Sequence, residues 1–262
     1  MLWIALTLGI VEGLTEFLPI SSTGHLIVTS RLLHFEGLRA EVFNIFIQLG
    51  AILAVVWEYR AKLVGVARDL PRARRARSFA WNVALGFLPA AVLGLAVHDA
   101  ISEHLFNPLT VALALIVGGL AILLVEALPL AARTREVDAV GWRQALGVGL
   151  AQCLSLWPGF SRSAATILGG MVAGFDRRTA TEFSFFLAIP TMFAATLYDL
   201  AKRYESLAPG DLAYLGLAFV VAFVVAWATV RWLLRFVSTH TFRVFAWYRL
   251  ALGVLILVIL YR

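Results

Sequence analysis

GIVEGLTEFLPISSTGHLI (residues 9–27) lies over GLAQCLSLWPGFSRSAATI (residues 149–167) at an offset of 140. Ala5/Ala145, Leu6/Leu146, Gly9/Gly149, Leu14/Leu154, Ser21/Ser161 and Ile27/Ile167 are identical pairs. Both stretches are apolar, yet each is interrupted midway by helix-breaking residues among hydroxyls: Pro19 and Gly24 in the first, Pro158 and Gly159 in the second. Proline removes a backbone donor and clashes with the preceding turn, so neither stretch reads as one continuous helix. Each predicts two short helices joined at a bend. Bent backbone at membrane depth survives only where protein buries it or it lines a wet cavity, so a re-entrant hairpin is the economical reading. The offset continues without a gap, laying FNIFIQLGAILAVVWEYRAK (43–62) over FSFFLAIPTMFAATLYDLAK (183–202). The chain reads as a duplication.

Outside the bends the apolar residues come in long runs. A span of a ~30 Å hydrocarbon layer needs about 20 residues. The first half reads as the broken region Met1–Leu33 followed by Val42–Tyr59, Phe79–His98 and Pro108–Leu130. The second reads as Trp142–Gly174 followed by Phe183–Leu200, Leu212–Leu234 and Val244–Tyr261. With 61% of 262 residues apolar, 15% charged and a mean hydropathy of +0.87, a soluble enzyme and a disordered chain are excluded. The fold expected is an all-α polytopic membrane protein. It forms one domain of two repeats, about 1–130 and 142–262, each a re-entrant helical hairpin plus three transmembrane helices. Three spans per half is an odd number, so the repeats have inverted topology.

The net charge of +6 is placed as in a membrane protein. Arg60, Lys62, Arg68, Arg72, Arg74, Arg75 and Arg77 cluster between two apolar spans, the pattern of a cytoplasmic loop. They carry no interleaved aromatic platforms, so no nucleic-acid partner is expected. With that loop inside, 131–143, 175–182 and 235–243 also fall inside with their arginines. The segment 99–107, with Asp99 and Glu103 and no lysine or arginine, falls outside, as do 34–41 and 201–211. The single Cys153 excludes a secreted disulfide scaffold and cysteine metal sites. Met1–Val11 lacks a basic start and runs into Glu12, unlike a cleaved signal peptide.

Ionisable groups within apolar segments are expensive and mark function by default. Here they concentrate in the bends. Glu12 and Glu16 share one helix face by their spacing, and Ser21, Ser22, Thr23 and His25 follow. The second bend supplies Ser161, Arg162, Ser163 and Thr166. If the bends meet, the set suits a phosphate ester or anhydride. Arg162 offers a planar fork matched to phosphoryl oxygens, and helices starting after Pro19 and at Ser161–Ser163 offer free N–H groups. Ser22 or a water is the candidate nucleophile and His25 the candidate general acid or base. Glu12 and Glu16 either hold a divalent cation, Mg²⁺ or Ca²⁺, or one of them acts as base.

Plainer roles compete. Ser163 and Thr166 suit back-bonding within their own helix as well as ligand contact. Glu182 reads as a helix-start carboxylate, and Glu58 and Glu126 read as snorkelling span-end groups. His34, His98 and His104 fall in outer loops, and the eight tryptophans read mostly as lipid-facing or interfacial anchors. Arg162 has no comparable structural explanation.

EGLTEFLPISSTGHL (12–26) and PGFSRSAATI (158–167) resemble the two signature motifs of the undecaprenyl-diphosphate phosphatase family, the bacitracin-resistance proteins. The likeness extends to FNIFIQLGAILAV (43–55) and EFSFFLAIPTM (182–192), and so to most of the chain. It implies removal of the terminal phosphate from a C55 isoprenyl diphosphate in the bacterial inner membrane, recycling the lipid carrier of peptidoglycan synthesis. It implicates Glu12, Glu16, Ser21, Ser22, Thr23, His25, Ser161, Arg162 and Ser163. The expected partners are the polyprenyl diphosphate and membrane lipids, with a homodimer open, and the active site is expected to face outward, towards the periplasm. Ala164 departs from the glycine usual after SRS, putting close backbone approach there in doubt. Two other readings compete. A transporter or flippase would use the same anion pocket, and the architecture alone suggests transport as strongly as catalysis. An intramembrane serine protease built on Ser22 and His25 leaves Arg162 unexplained.

Overall fold

The structure, a computed structural model, describes residues 1–203 and 211–260. Tyr261 and part of the expected outer segment 201–211 lie outside these residues, as does the side chain of His98. Every named element is helical. Among the described residues, six helices are long and apolar enough to cross a membrane: α3 (Leu38–Glu58), α5 (Arg74–His104), α6 (Pro108–Ala127), α9 (Arg177–Arg203), α10 (Leu212–Phe236) and α11 (Arg243–Leu260). The chain is a multi-pass membrane protein.

Local chemistry sets the ends of these spans. α6 begins where Asn107 Oδ1 accepts the Thr110 N–H at 3.0 Å with Pro108 at the first helical position, and stops just before Leu128-Pro129. α9 begins where Asp176 Oδ1 accepts the Thr179 N–H at 2.7 Å. The helix therefore starts well before Glu182, which pairs with Arg178 at 3.1 Å one turn on and is not a helix-start carboxylate.

Both interrupted stretches form two short helices each. α1 (Leu2–Thr15) is followed by a turn and α2 (Ser22–Leu32). α7 (Trp142–Gln152) is followed by a 3₁₀ turn at Cys153–Leu156 and α8 (Arg162–Val172). At a rise of 1.5 Å per residue even α1 reaches only about 21 Å, too short to cross. α1 packs along α10, and α7 packs along α5. Each packing leans on a glycine, and the two glycines are 140 apart: a Cβ at Gly9 would meet the Ala218 carbonyl at 2.7 Å, and one at Gly149 the Gly86 carbonyl at 2.5 Å. α3 against α9 and α6 against α11 complete the interior, and α8 is held between α7, α9 and α6.

Four details differ from the sequence reading. The basic stretch after Tyr59 is not all loop, because Arg60–Asp69 forms a helix, α4, with no buried residue. α5 continues to His104, so His98 and His104 belong to a helix and not to a loop. Glu126 does not snorkel. Its side chain is fully buried, accepts from Arg177 Nε at 2.9 Å and from the Phe242 N–H at 2.8 Å, and ties α6, α9 and the start of α11 together. Glu58 accepts from Trp227 Nε1 at 2.7 Å, so Trp227 is a packed donor, as is Trp157, whose Nε1 donates to the Thr110 carbonyl. The other six tryptophans are exposed at the surface.

Candidate active site

The two bends end in matching caps. Ser21 has φ 71° and Ser161 has φ 77°, conformations that cost a non-glycine residue about 1–3 kcal/mol. Each serine then caps the helix it precedes: Ser21 Oγ accepts from the Gly24 N–H at 3.4 Å and Ser161 Oγ from the Ala164 N–H at 3.3 Å. The N-termini of α2 and α8 are thereby presented from opposite halves of the chain, with their partial positive charge.

Between them the expected charges meet. Arg162 Nη2 donates to Glu16 Oε1 at 3.2 Å, and Ser22 Oγ donates to Glu16 Oε2 at 2.6 Å. The Arg162 side chain is 11% exposed and that of Glu16 10%. Removing either partner would therefore strand a charge away from water. Arg162 Nη1 also donates to the Ser184 carbonyl at 3.3 Å, Nη2 lies 3.6 Å from Met192 Sδ, and the guanidinium sits over the Phe17 ring at 5.7 Å. Its Nε–H is buried with no partner, a donor left free beside the carboxylate.

Glu12 lies one turn before Glu16 on α1, as the spacing predicts. It is fully buried, and its carboxyl lies within reach of a proton shared with Glu16 and of the Arg162 charge. Buried polar atoms are normally satisfied, and a proton held between the two carboxyls satisfies Glu12 there.

The remaining candidates divide. Ser163 is fully buried and donates to the Leu18 carbonyl at 2.8 Å, which stitches the second bend to the first. Its proton being committed there, Ser161 donates to Ser163 Oγ at 2.9 Å. Thr166 back-bonds to the Arg162 carbonyl at 2.9 Å and meets Ser184 Oγ at 2.6 Å. Ala164 is fully buried with its N–H used in the cap. Thr23 lines a cavity of about 390 Å³ with Pro158, Leu156, Phe87, Leu95 and Ile101. His25 starts from the same helical turn as Ser22 but is engaged elsewhere. Its Nδ1 donates to the Ser21 carbonyl at 2.7 Å, and Nε2 accepts from the Tyr248 hydroxyl at 2.6 Å. The hydrogen-bonding partner of Ser22 is thus Glu16 and not His25.

Sequence reasoning passed over α11. Tyr248 holds His25, and its neighbour Arg249 is fully buried, donating to backbone carbonyls of both bends. The signal was present: Arg249 is a lone cation within an otherwise apolar span. Ser184 and Met192, which flank Arg162, carry no such signal.

A cluster in which one carboxylate holds a hydroxyl and a guanidinium at two helix N-termini can bind a phosphoryl group and accept a proton from its attacker. Among the described residues, no group of three or more histidines, cysteines and carboxylates gathers as a metal centre. Glu12 and Glu16 are the carboxylates of the first bend.

Relatives of this chain share one enzyme name. The chain is 57% identical over 253 residues to the undecaprenyl-diphosphatase of Ectopseudomonas mendocina, covering 97% of this chain and 92% of that one. It is 56% identical over 253 residues to the undecaprenyl-diphosphatase of Laribacter hongkongensis, covering 97% and 93% of the two chains. With the enzyme of that name from Nitrosospira multiformis it shares 56% over 256 residues, 98% of this chain and 94% of the other. Residues 5–255 match the family described as bacitracin resistance protein BacA, and to that family this chain belongs.

Proposed function

We propose that this protein hydrolyses undecaprenyl diphosphate to the monophosphate and inorganic phosphate. The observation that carries the reading is the convergence on Glu16: Arg162 from the second bend and Ser22 from the first both bond one nearly buried carboxylate. Identity above one half to three enzymes named for this reaction supports it.

The diphosphate enters between the N-termini of α2 and α8, and the first isoprene units follow the apolar cavity past Thr23 and Leu156. Arg162 binds the terminal phosphate and neutralises charge building on its oxygens. Attack at the terminal phosphorus comes from Ser22 Oγ or from a water held in its place. The P–O bond to the lipid phosphate breaks, and Glu16 receives the attacker's proton. Attack by Ser22 leaves a phosphoserine that water then hydrolyses, whereas direct water attack finishes in one step. His25 is the second proton carrier, once Tyr248 yields Nε2. Two adjacent carboxylates would fit a hard divalent cation such as Mg²⁺ or Ca²⁺, with Glu12 and Glu16 as its protein ligands. Such a cation would screen phosphate charge.

The two halves are an inverted repeat with re-entrant hairpins in this reading. The common offset of the caps at Ser21 and Ser161, and of the close-packed glycines Gly9 and Gly149, supports it. The arginine distribution supports an active site opening to the periplasmic face of the inner membrane.

The test is conversion of labelled C55 diphosphate by detergent-purified protein, with a titration of Mg²⁺ and Ca²⁺ after chelation. Phosphate release lost in Arg162→Ala and Glu16→Ala supports the assignment, and near wild-type turnover in either removes it. In vesicles, lipid translocation without phosphate release would establish the transporter reading instead.

A further inference from the structure

Arg249 lies in the middle of α11, fully buried, and the hydrogen bonds its guanidinium makes go to main-chain oxygens. Nη1 donates to the Pro19 carbonyl at 3.1 Å and Nη2 to the Gly159 carbonyl at 3.1 Å. Nη2 also reaches the Ala114 carbonyl at 3.1 Å, and Nε donates to the Leu115 carbonyl at 3.2 Å. The aromatic ring of Phe160 lies 5.9 Å from the guanidinium carbon.

Two features set this apart from a buried cation that is merely satisfied. Pro19 and Gly159 are separated by the same offset of 140 that relates the two repeats, and each stands two residues before a cap, Ser21 or Ser161. One guanidinium therefore bridges equivalent points of both bends. Its counterpart by the same offset is Leu109, so the bridge is made once. The fold also makes room for it: a Cβ at Gly118 of α6 would collide with Arg249 Nη2. Bent backbone leaves carbonyls with no helical partner, and a water or an amide could satisfy them singly. A rigid planar fork satisfies them at a fixed mutual distance.

We infer that Arg249 is a positioning residue that sets the separation of the two cap-bearing bends, so that the N-termini of α2 and α8 engage one diphosphate together. It touches no substrate atom. It acts through the carbonyls of Pro19 and Gly159, which hold Ser21 and Ser161 in register, and it places a positive charge behind the anion site. The inference rests on the diphosphate reading of the bends given above.

Inhibition by inorganic pyrophosphate against inorganic phosphate tests it, read as conversion of labelled polyprenyl diphosphate to monophosphate. Pyrophosphate can span both bends, whereas phosphate needs only one. Two linked contacts give the wild-type protein a preference for pyrophosphate of about tenfold or more. Arg249→Lys keeps the charge but loses the fork. Gly118→Ala keeps Arg249 and displaces its guanidinium, and so serves if the lysine variant does not fold. In both, the preference should fall to about threefold or less, through weaker pyrophosphate inhibition with phosphate inhibition little changed. A residue that merely stabilised the fold would reduce the folded fraction and leave both inhibition constants as they were. Folded variants that keep the wild-type preference overturn the role of Arg249. A wild-type protein with no preference overturns the diphosphate reading on which it rests.

Discussion

Ser21 and Ser161 occupy the same point in two bends that are 140 residues apart, each with a left-handed φ and each capping the helix that follows. The two demands conflict, since glycine suits the backbone and serine suits the cap. Glycine at either position relieves the strain and loses the cap, while alanine keeps the strain and also loses the cap. Thermal unfolding in detergent should place alanine lowest, about 1 kcal/mol below serine, with glycine well above alanine because it sheds the strain. An alanine variant as stable as the wild type would show that the caps contribute nothing.

The hydrogen bond from Ser22 to Glu16 makes the two residues one unit. Glu16→Gln and Ser22→Ala should each lower kcat about 10²–10³-fold. The double variant should fall no more than about threefold below the weaker single, because residues acting through one bond do not add. Losses that multiply in full would separate their roles and leave Ser22 without a part in the proton transfer.

Most of this candidate site can be read from where charge falls along the sequence, because charge within an apolar segment has so few cheap explanations. Glu16 and Arg162 are 146 residues apart, yet each sits in a segment already broken by proline or glycine, and each needs a partner to be buried. Their meeting follows from electrostatic cost. Arg249 obeys the same rule but bonds only to main-chain oxygens, which no side-chain pattern announces. Similarly, nothing in the sequence pairs Tyr248 with His25 until the fold brings α11 beside α2. The helix at Arg60–Asp69 escapes notice because a polar surface helix buries nothing and so leaves no apolar period to detect.

Close approach fixes Gly9 and Gly149. A methyl at either would meet a carbonyl of the crossing helix, that of Ala218 or of Gly86. Gly9→Ala and Gly149→Ala should therefore lose about 1–3 kcal/mol to overpacking. Gly216→Ala, with open space around its Cβ, should gain up to about 1 kcal/mol from helix propensity. Melting temperatures of the three variants, measured in one detergent, check the pattern. Equal shifts would mean that the α1–α10 and α7–α5 contacts give way freely.

At the start of α10, Asp211 accepts from Arg39 Nε at 2.7 Å, and this bond holds its carboxyl below the usual carboxylate range. A depressed folded value stabilises the fold at pH above the unfolded value, about 3.9, and the benefit disappears as pH falls through the folded value. Wild-type protein should therefore melt above Asp211→Asn at pH 6, with the gap closing below about pH 4. Arg39 is largely exposed, so the gap at pH 6 should be small. A gap that persists unchanged at pH 3 would assign the effect to shape and not to charge.

Both ring nitrogens of His25 are occupied: Nδ1–H donates to the Ser21 carbonyl, and Nε2 accepts the Tyr248 hydroxyl. The first bond lies within the turn that caps α2 and fixes the tautomer. The second is made to a half-exposed side chain, 45% accessible, and is the one a substrate can displace. Exchanging that bond costs about 1 kcal/mol. Tyr248→Phe should therefore raise kcat/KM a few-fold, by about the factor such a bond represents. The gain should vanish when His25→Ala is added, because the phenol then has no imidazole to occupy. Steady-state kinetics of the two single variants and the double variant decide the matter. A Tyr248→Phe protein that turns over more slowly would mean that the phenol aims the ring and does not restrain it.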